Sequence, residues 1–264
     1  MTQHTIEVVS NEQRVFPPPA EFAQRASVNS LESYQALYQR SISDPEGFFG
    51  EQAKLLHWFK APTQVLSWKP PHAEWFADGT LNLAYNCVDR HVVAGRGDKV
   101  ALIWEGEPGE VRKLTYRELL RDVSRCANAL LSLGIAKGDR VGIYMGMVPE
   151  AAIAMLACAR IGAIHSVVFG GFAAEAVADR MNDASAKAII TQDGTWRRGS
   201  VVPLKAQVDK ALESCPSVEH VIVLERTKTP IERRPGRDLM WHDVVSNASD
   251  QHEAPPLPAE QPLF

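Results

Sequence analysis

Two short stretches of the chain carry residue types that could bind an anionic ligand. The first, Phe169-Gly170-Gly171, joins an apolar run to a segment with helical spacing. Paired glycines allow positive backbone torsions and close approach of a ligand, and the free N–H groups at a helix start attract negative charge. The second, Arg197-Arg198-Gly199-Ser200, sets two guanidinium groups beside Trp196. Planar guanidinium forks match phosphate oxygens, and tryptophan or arginine can stack on a base, so a phosphorylated nucleotide would fit this second stretch. Each also has a plain structural reading. The glycines could serve a tight strand-to-helix turn, and the arginines a solvated basic turn.

Other candidates are weaker. Cys87 and His91 stand four apart, which on a helix is half of a metal site, and no second half follows in the sequence, so an incidental role is expected. His165 lies in an apolar run and reads as a satisfied core histidine, while Asp89 and Arg90 suggest capping or ion-pair contacts. Neither GxxxxGK[ST] nor a GxGxxG after a strand occurs, and GxSxG is missing, which removes the main support for kinase, dehydrogenase and serine-hydrolase readings.

The elements that must position these stretches can be read from periodicity. Residues 100–104 (VALIW) predict a buried strand before a turn at Gly106 to Gly109. Thr115 with Glu118 makes a capping box, followed by apolar residues at three- and four-residue steps up to Gly134. Residues 140–145, 164–169, 187–191 and 220–224 predict further strands, separated by helices over 149–161, 173–182 and 202–214, with a short helix over 241–248. The alternation predicts an α/β fold: a doubly wound, mostly parallel sheet with helices on both faces and ligands beyond the strands' carboxyl ends. The loops after Met145, Phe169, Thr191 and Leu224 are then the ones to interrogate.

Ahead of this region, residues 1–30, with Pro17, Pro18 and Pro19, predict a loosely docked arm in which a helix or central strand is not expected. Residues 31–59 predict two short amphipathic helices broken at Ser43, Asp44 and Pro45. Residues 61–79 predict an irregular stretch anchored by Trp68, Trp75 and Phe76.

Composition narrows the class. The 264 residues are 45% hydrophobic and 23% charged with a formal net charge of -4, which suits a globular chain and argues against a broad nucleic-acid-binding face. Four cysteines at spacings of 39, 32 and 57 residues form no disulfide framework. No apolar run reaches bilayer length and residues 1–25 lack a secretory pattern, so a cytoplasmic location and no membrane partner are expected.

Longer runs carry a resemblance. WFADGTLNLAYNCVDRH at 75–91, LTYRELLRDVSRCANALLSLGIAKGDRVGIYM at 114–145, PEAAIAMLACARIGAIHSVVFGGFAAEAVADR at 149–180 and AIITQDGTWRRGSVVPLKAQVDKAL at 188–212 together resemble the acetyl-CoA synthetases, members of the adenylate-forming acyl-CoA synthetase superfamily. The likeness runs from about residue 31 to 264, and the aromatic-rich segment before residue 92 favours the acetyl- and propionyl-CoA branch. It implies an α/β adenylation domain beginning at 93 after an N-terminal segment at 31–92. The implied reaction joins acetate and ATP into an acetyl-adenylate, which coenzyme A then attacks, with Mg²⁺ accompanying the ATP.

By position, Phe169, Gly170 and Gly171 resemble the family's segment near the pantetheine entry, and Arg197, Arg198, Gly199 and Ser200 the segment gripping the coenzyme A phosphates. Some relatives carry a basic residue where Ser200 stands, so the fork here would rely on Arg197 and Arg198. The family's phosphate loop follows a segment like residues 259–264, where this sequence stops. The resemblance therefore implies an N-terminal fragment, truncated before the ATP phosphate loop. Such a piece would have no catalytic or metal residues of its own and no ligase activity alone, and its interrupted sheet would leave an unpaired strand edge and a tendency to self-associate. Against this stand two alternatives: a noncatalytic doubly wound nucleotide- or protein-binding domain, and a propionyl-CoA synthetase. Oligomeric state is open.

Overall fold

The computed structural model describes residues 15–264; the portion of the expected arm before residue 15 lies outside the described residues. The chain divides into two units, Met1–Lys54 and Leu55–Phe264.

In the first unit, α1 (Ala20–Arg25), α2 (Leu31–Ser43) and α3 (Pro45–Ala53) are short helices. The α2–α3 break falls where the sequence placed it: Asp44 accepts the Gly47 N–H through its carboxylate and Pro45 opens α3. α1 corrects the expectation that prolines exclude a helix here. Pro19 stands at the helix N-cap, where a missing N–H costs nothing.

The second unit begins with β1 (Leu66–Lys69) and β2 (His72–Trp75), an antiparallel pair turned at Pro70-Pro71. The expected irregular stretch is thus a hairpin whose turn the prolines make. Trp75 and Phe76 pack ring to ring at 5.9 Å, whereas Trp68 is 65% exposed and anchors nothing. β3 (Thr80–Leu81) and two π-helical segments, Tyr85–Asp89 and Val92–Arg96, lead to β4 (Val100–Glu105) and β5 (Val111–Thr115). These last two pair with each other antiparallel. Residues 100–104 therefore do not enter the central sheet, and Ile103 is 68% exposed. An apolar run shows that a strand forms but not which sheet receives it.

The capping box works as expected. Thr115 Oγ1 accepts the Glu118 N–H and Glu118 Oε2 accepts the Thr115 N–H at 2.8 Å, opening α4 (Tyr116–Ser132). The chain then winds through β6 (Arg140–Met145), α5 (Pro149–Ile161), β7 (Ile164–Phe169), α6 (Ala174–Ala184) and β8 (Ala188–Gln192). A small hairpin, β9 (Thr195–Arg197) with β10 (Ser200–Val202), follows before α7 (Leu204–Ala211), β11 (His220–Leu224), β12 (Asp238–Met240), α8 (Trp241–Val244) and β13 (Leu257–Pro258).

Five of these strands form one parallel sheet in the order β12-β11-β8-β6-β7. β6 and β8 are buried almost throughout, as strands covered on both faces must be. Their side chains, with those of β11, alternate between two cores. Val141, Ile143 and Ile190 pack with α4 and α5, while Tyr144, Ile189 and Val221 pack with α6 and α7. The path from β7 to β8 passes over β6, so winding direction reverses there, and the crevice where ligands enter such sheets lies at the carboxyl ends of β6 and β8. β7 is an edge strand, with Val167 53% and Phe169 58% exposed.

Candidate functional site

The parallel register aligns Met145 with Phe169 and places Tyr144 beside Thr191, while Gln192 lies beside Leu224, bringing the four flagged loops to one rim. A cavity of about 300 Å³ opens there. Gly146 from the β6 loop, Phe169 and Gly170 from the β7 loop, Arg197 from the β9–β10 hairpin and Arg226 after β11 line it.

The floor is built by close approach. The Gly146 N–H donates to Gln192 Oε1 at 2.6 Å, and a Cβ on Gly146 would collide with Thr195 Oγ1. Gly170 lies so near β6 that a Cβ would sit 2.8 Å from the Met145 carbonyl oxygen. Neither Gly170 nor Gly171 has a positive φ. The paired glycines are there for space and not for torsional freedom, which corrects half of the sequence argument.

The second stretch is a hairpin rather than a loop. Arg197 pairs with Ser200, and the two turn residues, Arg198 and Gly199, have φ of 52° and 76°, as a two-residue turn matched to strand twist requires. Arg197 turns back over the first stretch: its guanidinium carbon lies 5.2 Å from the Phe169 ring centroid, and its tip fills the space a Cβ on Gly171 would need. The two stretches therefore meet, as a shared ligand would demand. Arg198, Gly199 and Ser200 are exposed at and after the turn, outside the cavity lining. The Gly199 N–H donates to Glu107 Oε1 from the β4–β5 turn.

The sequence reading missed that turn's contribution. Trp104 donates its Nε1–H to the Met147 carbonyl at 2.7 Å and carries the Arg226 guanidinium 5.1 Å from its ring. Arg226 is held in turn by both oxygens of Glu110 at 2.9 and 3.1 Å, and that hydrogen bonding keeps the Glu110 carboxyl below its ordinary range. The turn signal at Gly106 to Gly109 was visible; its position over the rim depends on tertiary packing. Asp193, also missed, is 2% exposed and accepts N–H groups of Gly194, Arg226, Thr227 and Thr229, fixing the loop after β11.

The remaining candidates are structural or unpaired. Asp89 forms a two-pronged ion pair with Arg160 at 2.7 and 2.9 Å, and Arg90 donates to the Leu55 carbonyl at 2.8 Å. His165 is not satisfied in the expected sense: its ring faces Phe264 at 5.8 Å and its buried Nδ1 finds no hydrogen-bond partner among the described residues. Burial lowers its proton affinity. Burial pushes Cys158 up to about 12 and Cys126 in the same direction, so neither is a nucleophile. Among the described residues, no group of three or more His, Cys, Asp or Glu could hold a metal ion, and no helix is long and apolar enough to cross a membrane.

A doubly wound parallel sheet with a cavity at the strand-order reversal places the chain in the α/β class whose ligands enter at the strands' carboxyl ends. The family follows from comparison: residues 89–264 match the model for "AMP-binding enzyme" and residues 34–87 that for "Acetyl-coenzyme A synthetase N-terminus", and the chain belongs to the AMP-binding enzymes. Curated relatives include acetyl-coenzyme A synthetases from Deinococcus radiodurans, 53% identical over 98% of this chain, and from Streptomyces coelicolor, 51% identical over 100% of it. The chain spans 40% of the length of each. Among solved structures, acetoacetyl-CoA synthetase from Streptomyces lividans superposes with a TM-score of 0.80 at 26% identity, covering 92% of this chain and 37% of that one.

Proposed function

We propose that this chain supplies the coenzyme A side of an AMP-forming acetate–CoA ligase, which joins acetate and ATP into an acetyl-adenylate and transfers the acetyl group to the coenzyme A thiol. In this reading, residues 31–92 are the entry segment and 93–264 the first part of the adenylation domain. Arg197 and Arg198 meet the phosphates of the coenzyme A nucleotide, and Gly199 and Ser200 add backbone or hydroxyl contacts. Phe169, Gly170 and Gly171 border the pantetheine path. The acetyl group follows the named relatives, while ATP and a cytoplasmic setting rest on the sequence reading. Mg²⁺ would travel with the ATP, and no step is assigned to it on this chain.

The observation that carries the reading is the position of Arg197. It sits on the cavity rim at the strand-order reversal, stacked on Phe169, with no carboxylate partner among the described residues. A guanidinium held by packing alone keeps its donors for an incoming anion.

Calorimetric titration of coenzyme A into the purified chain tests this. Arg197→Ala should weaken binding roughly 10- to 100-fold, the loss expected for hydrogen bonds to a charged group, and Arg197→Lys should not restore it because an ammonium lacks the planar fork. Equal affinity of all three proteins would remove Arg197 from the site. Acetate-dependent ATP–pyrophosphate exchange by the 264-residue chain would contradict the expectation that adenylation needs groups beyond it.

A further inference from the structure

The cationic turn and the acidic turn that faces it are joined by one hydrogen bond, from the Gly199 N–H to Glu107 Oε1. In a two-residue turn with both central φ values positive, the second residue's N–H lies outside the strand ladder and points outward. Here that outward N–H, flanked by Arg197 and Arg198, is met by a carboxylate. A carboxylate oxygen and a phosphate oxygen make the same demand on a backbone N–H.

We propose that Glu107 is a specificity-determining residue that competes for the cationic turn: its carboxylate holds the position a phosphate oxygen of the ligand would take and must swing aside on binding. The proposal rests on Arg197 belonging to an anion site. Three observations on the surroundings support it. Glu107 is exposed and lines the cavity, so it has solvent to move into. It has no cationic side chain as an ion-pair partner among the described residues, and the backbone N–H is its recorded contact. The turn beneath it is fixed independently of it. Arg226 bonds to Glu110, Trp104 bonds to the Met147 carbonyl, and Gly106 is so closely packed that a Cβ would lie 2.7 Å from the Trp104 ring. Moving Glu107 therefore need not move the β4–β5 hairpin.

Charge gives the direction of the effect. A carboxylate bound to the turn that carries Arg197 and Arg198 lowers the local positive potential, so a weakly charged or neutral ligand loses little, while a polyphosphate must displace the carboxylate and meets its repulsion. Glu107 thus weakens a polyphosphate more than a weakly charged ligand and narrows the site's preference between them.

Four proteins separate the possibilities: the wild type, Glu107→Gln, Glu107→Ala and Arg197→Ala, each titrated with coenzyme A at low and high salt. Glu107→Gln keeps an oxygen to accept the Gly199 N–H but removes the charge. It should bind coenzyme A about 3- to 10-fold tighter than wild type at low salt, with a steeper loss of affinity as salt is added. Glu107→Ala should bind at least as tightly as Glu107→Gln. If Glu107→Gln matches wild type and Glu107→Ala binds more weakly, Glu107 merely supports the turn and the proposal falls while the site stands. If Arg197→Ala binds as wild type does, or no variant binds, the anion site itself is wrong and Glu107 falls with it. Amide exchange at Gly199 supplies a second readout. Addition of coenzyme A should leave that N–H protected in both wild type and Glu107→Gln, because the ligand replaces the acceptor, and new exposure on binding would also overturn the proposal.

Discussion

Arg160 and Arg197 are the same residue type in opposite surroundings. Arg160 stands in α5 with its side chain 1% exposed, and its donors are taken: both Asp89 oxygens, the His252 carbonyl at 2.6 Å and the His252 Nδ1 at 3.0 Å. Arg197 lies exposed on a hairpin, leaning on an aromatic ring, with no carboxylate recorded against it among the described residues. A buried guanidinium survives only when nearly every donor is satisfied, so it has nothing left to offer a ligand. A rim guanidinium can leave its donors to water and exchange them for phosphate. Satisfaction therefore separates a structural arginine from a binding one more sharply than charge does.

The largest effect that could break this contrast is removal of Arg160. Arg160→Ala strands Asp89, whose side chain is 12% exposed, and should lower unfolding free energy by about 3–5 kcal/mol. It also frees residues 249–255, which Asn82 and Asn128 hold from the other side through the Pro255, Ser249 and Gln251 carbonyls. Urea denaturation followed by tryptophan fluorescence reads the loss; a cost below about 1 kcal/mol would mean the pair is no more than a surface bridge.

Next come the two glycines, which divide along the same line. Gly170→Ala forces a Cβ against β6 backbone, 2.8 Å from the Met145 oxygen and 3.2 Å from its carbonyl carbon, and should cost about 1–3 kcal/mol. Gly171→Ala meets no backbone, only two exposed side chains: the tip of Arg197 and the Phe169 ring, 2.9 Å from the added Cβ. It should leave stability within about 0.5 kcal/mol yet weaken coenzyme A binding by displacing the guanidinium. Similar stability costs at both positions would erase the distinction.

The pH dependence belongs to the Arg160 side. His252 accepts the Arg160 Nε–H through Nδ1, so that nitrogen must be unprotonated. Burial first, then the Arg160 charge, lower its proton affinity, with Asp89 acting the other way. Burial likewise lowers His165 and His91. With folded values below the ordinary 6.5, the unfolded chain takes up protons first, so stability is full above about pH 6.5 and declines as pH falls through the folded values. The thermal midpoint should therefore drop between pH 7.5 and 5, and His252→Gln, which accepts the same hydrogen bond without titrating, should flatten part of the slope. A level midpoint over that range would show these rings to be solvated.

Much of the fold was legible because its signals are local. The Thr115–Glu118 box, Pro149 opening α5 and Gly162 closing it at φ 77° all lie within a few residues of the elements they delimit. What escaped depends on partners far along the chain. Asp89 and Arg160 are 71 residues apart, and nothing near either one announces the pair. β4 reads like its buried neighbours, yet pairs with β5 because the chain returns on itself within six residues of Gly106. At the candidate site, the sequence found Phe169, Gly170 and Arg197 by residue type at strand ends, which is where a parallel sheet collects its ligands. It missed Glu107, Trp104 and Arg226 because a hairpin outside the sheet brings the first two to the rim and the third reads as ordinary charge after β11.

The smallest stability effect is expected at Arg197, and there the contrast is sharpest. Arg197→Ala removes one cation–π contact on an exposed hairpin, worth about 0.5–1 kcal/mol at such a site, and leaves no buried partner unsatisfied. The Phe169 ring it uncovers is already 58% exposed, so little further desolvation is lost. Unfolding free energy should fall by no more than about 1 kcal/mol, several-fold less than for Arg160→Ala, while coenzyme A binding is largely lost. Measured together, the two substitutions should invert: one chain marginally folded, the other folded and unable to hold the ligand. A large stability loss at Arg197 would place it with Arg160 among the structural arginines and leave the cavity rim with Arg226, already paired with Glu110.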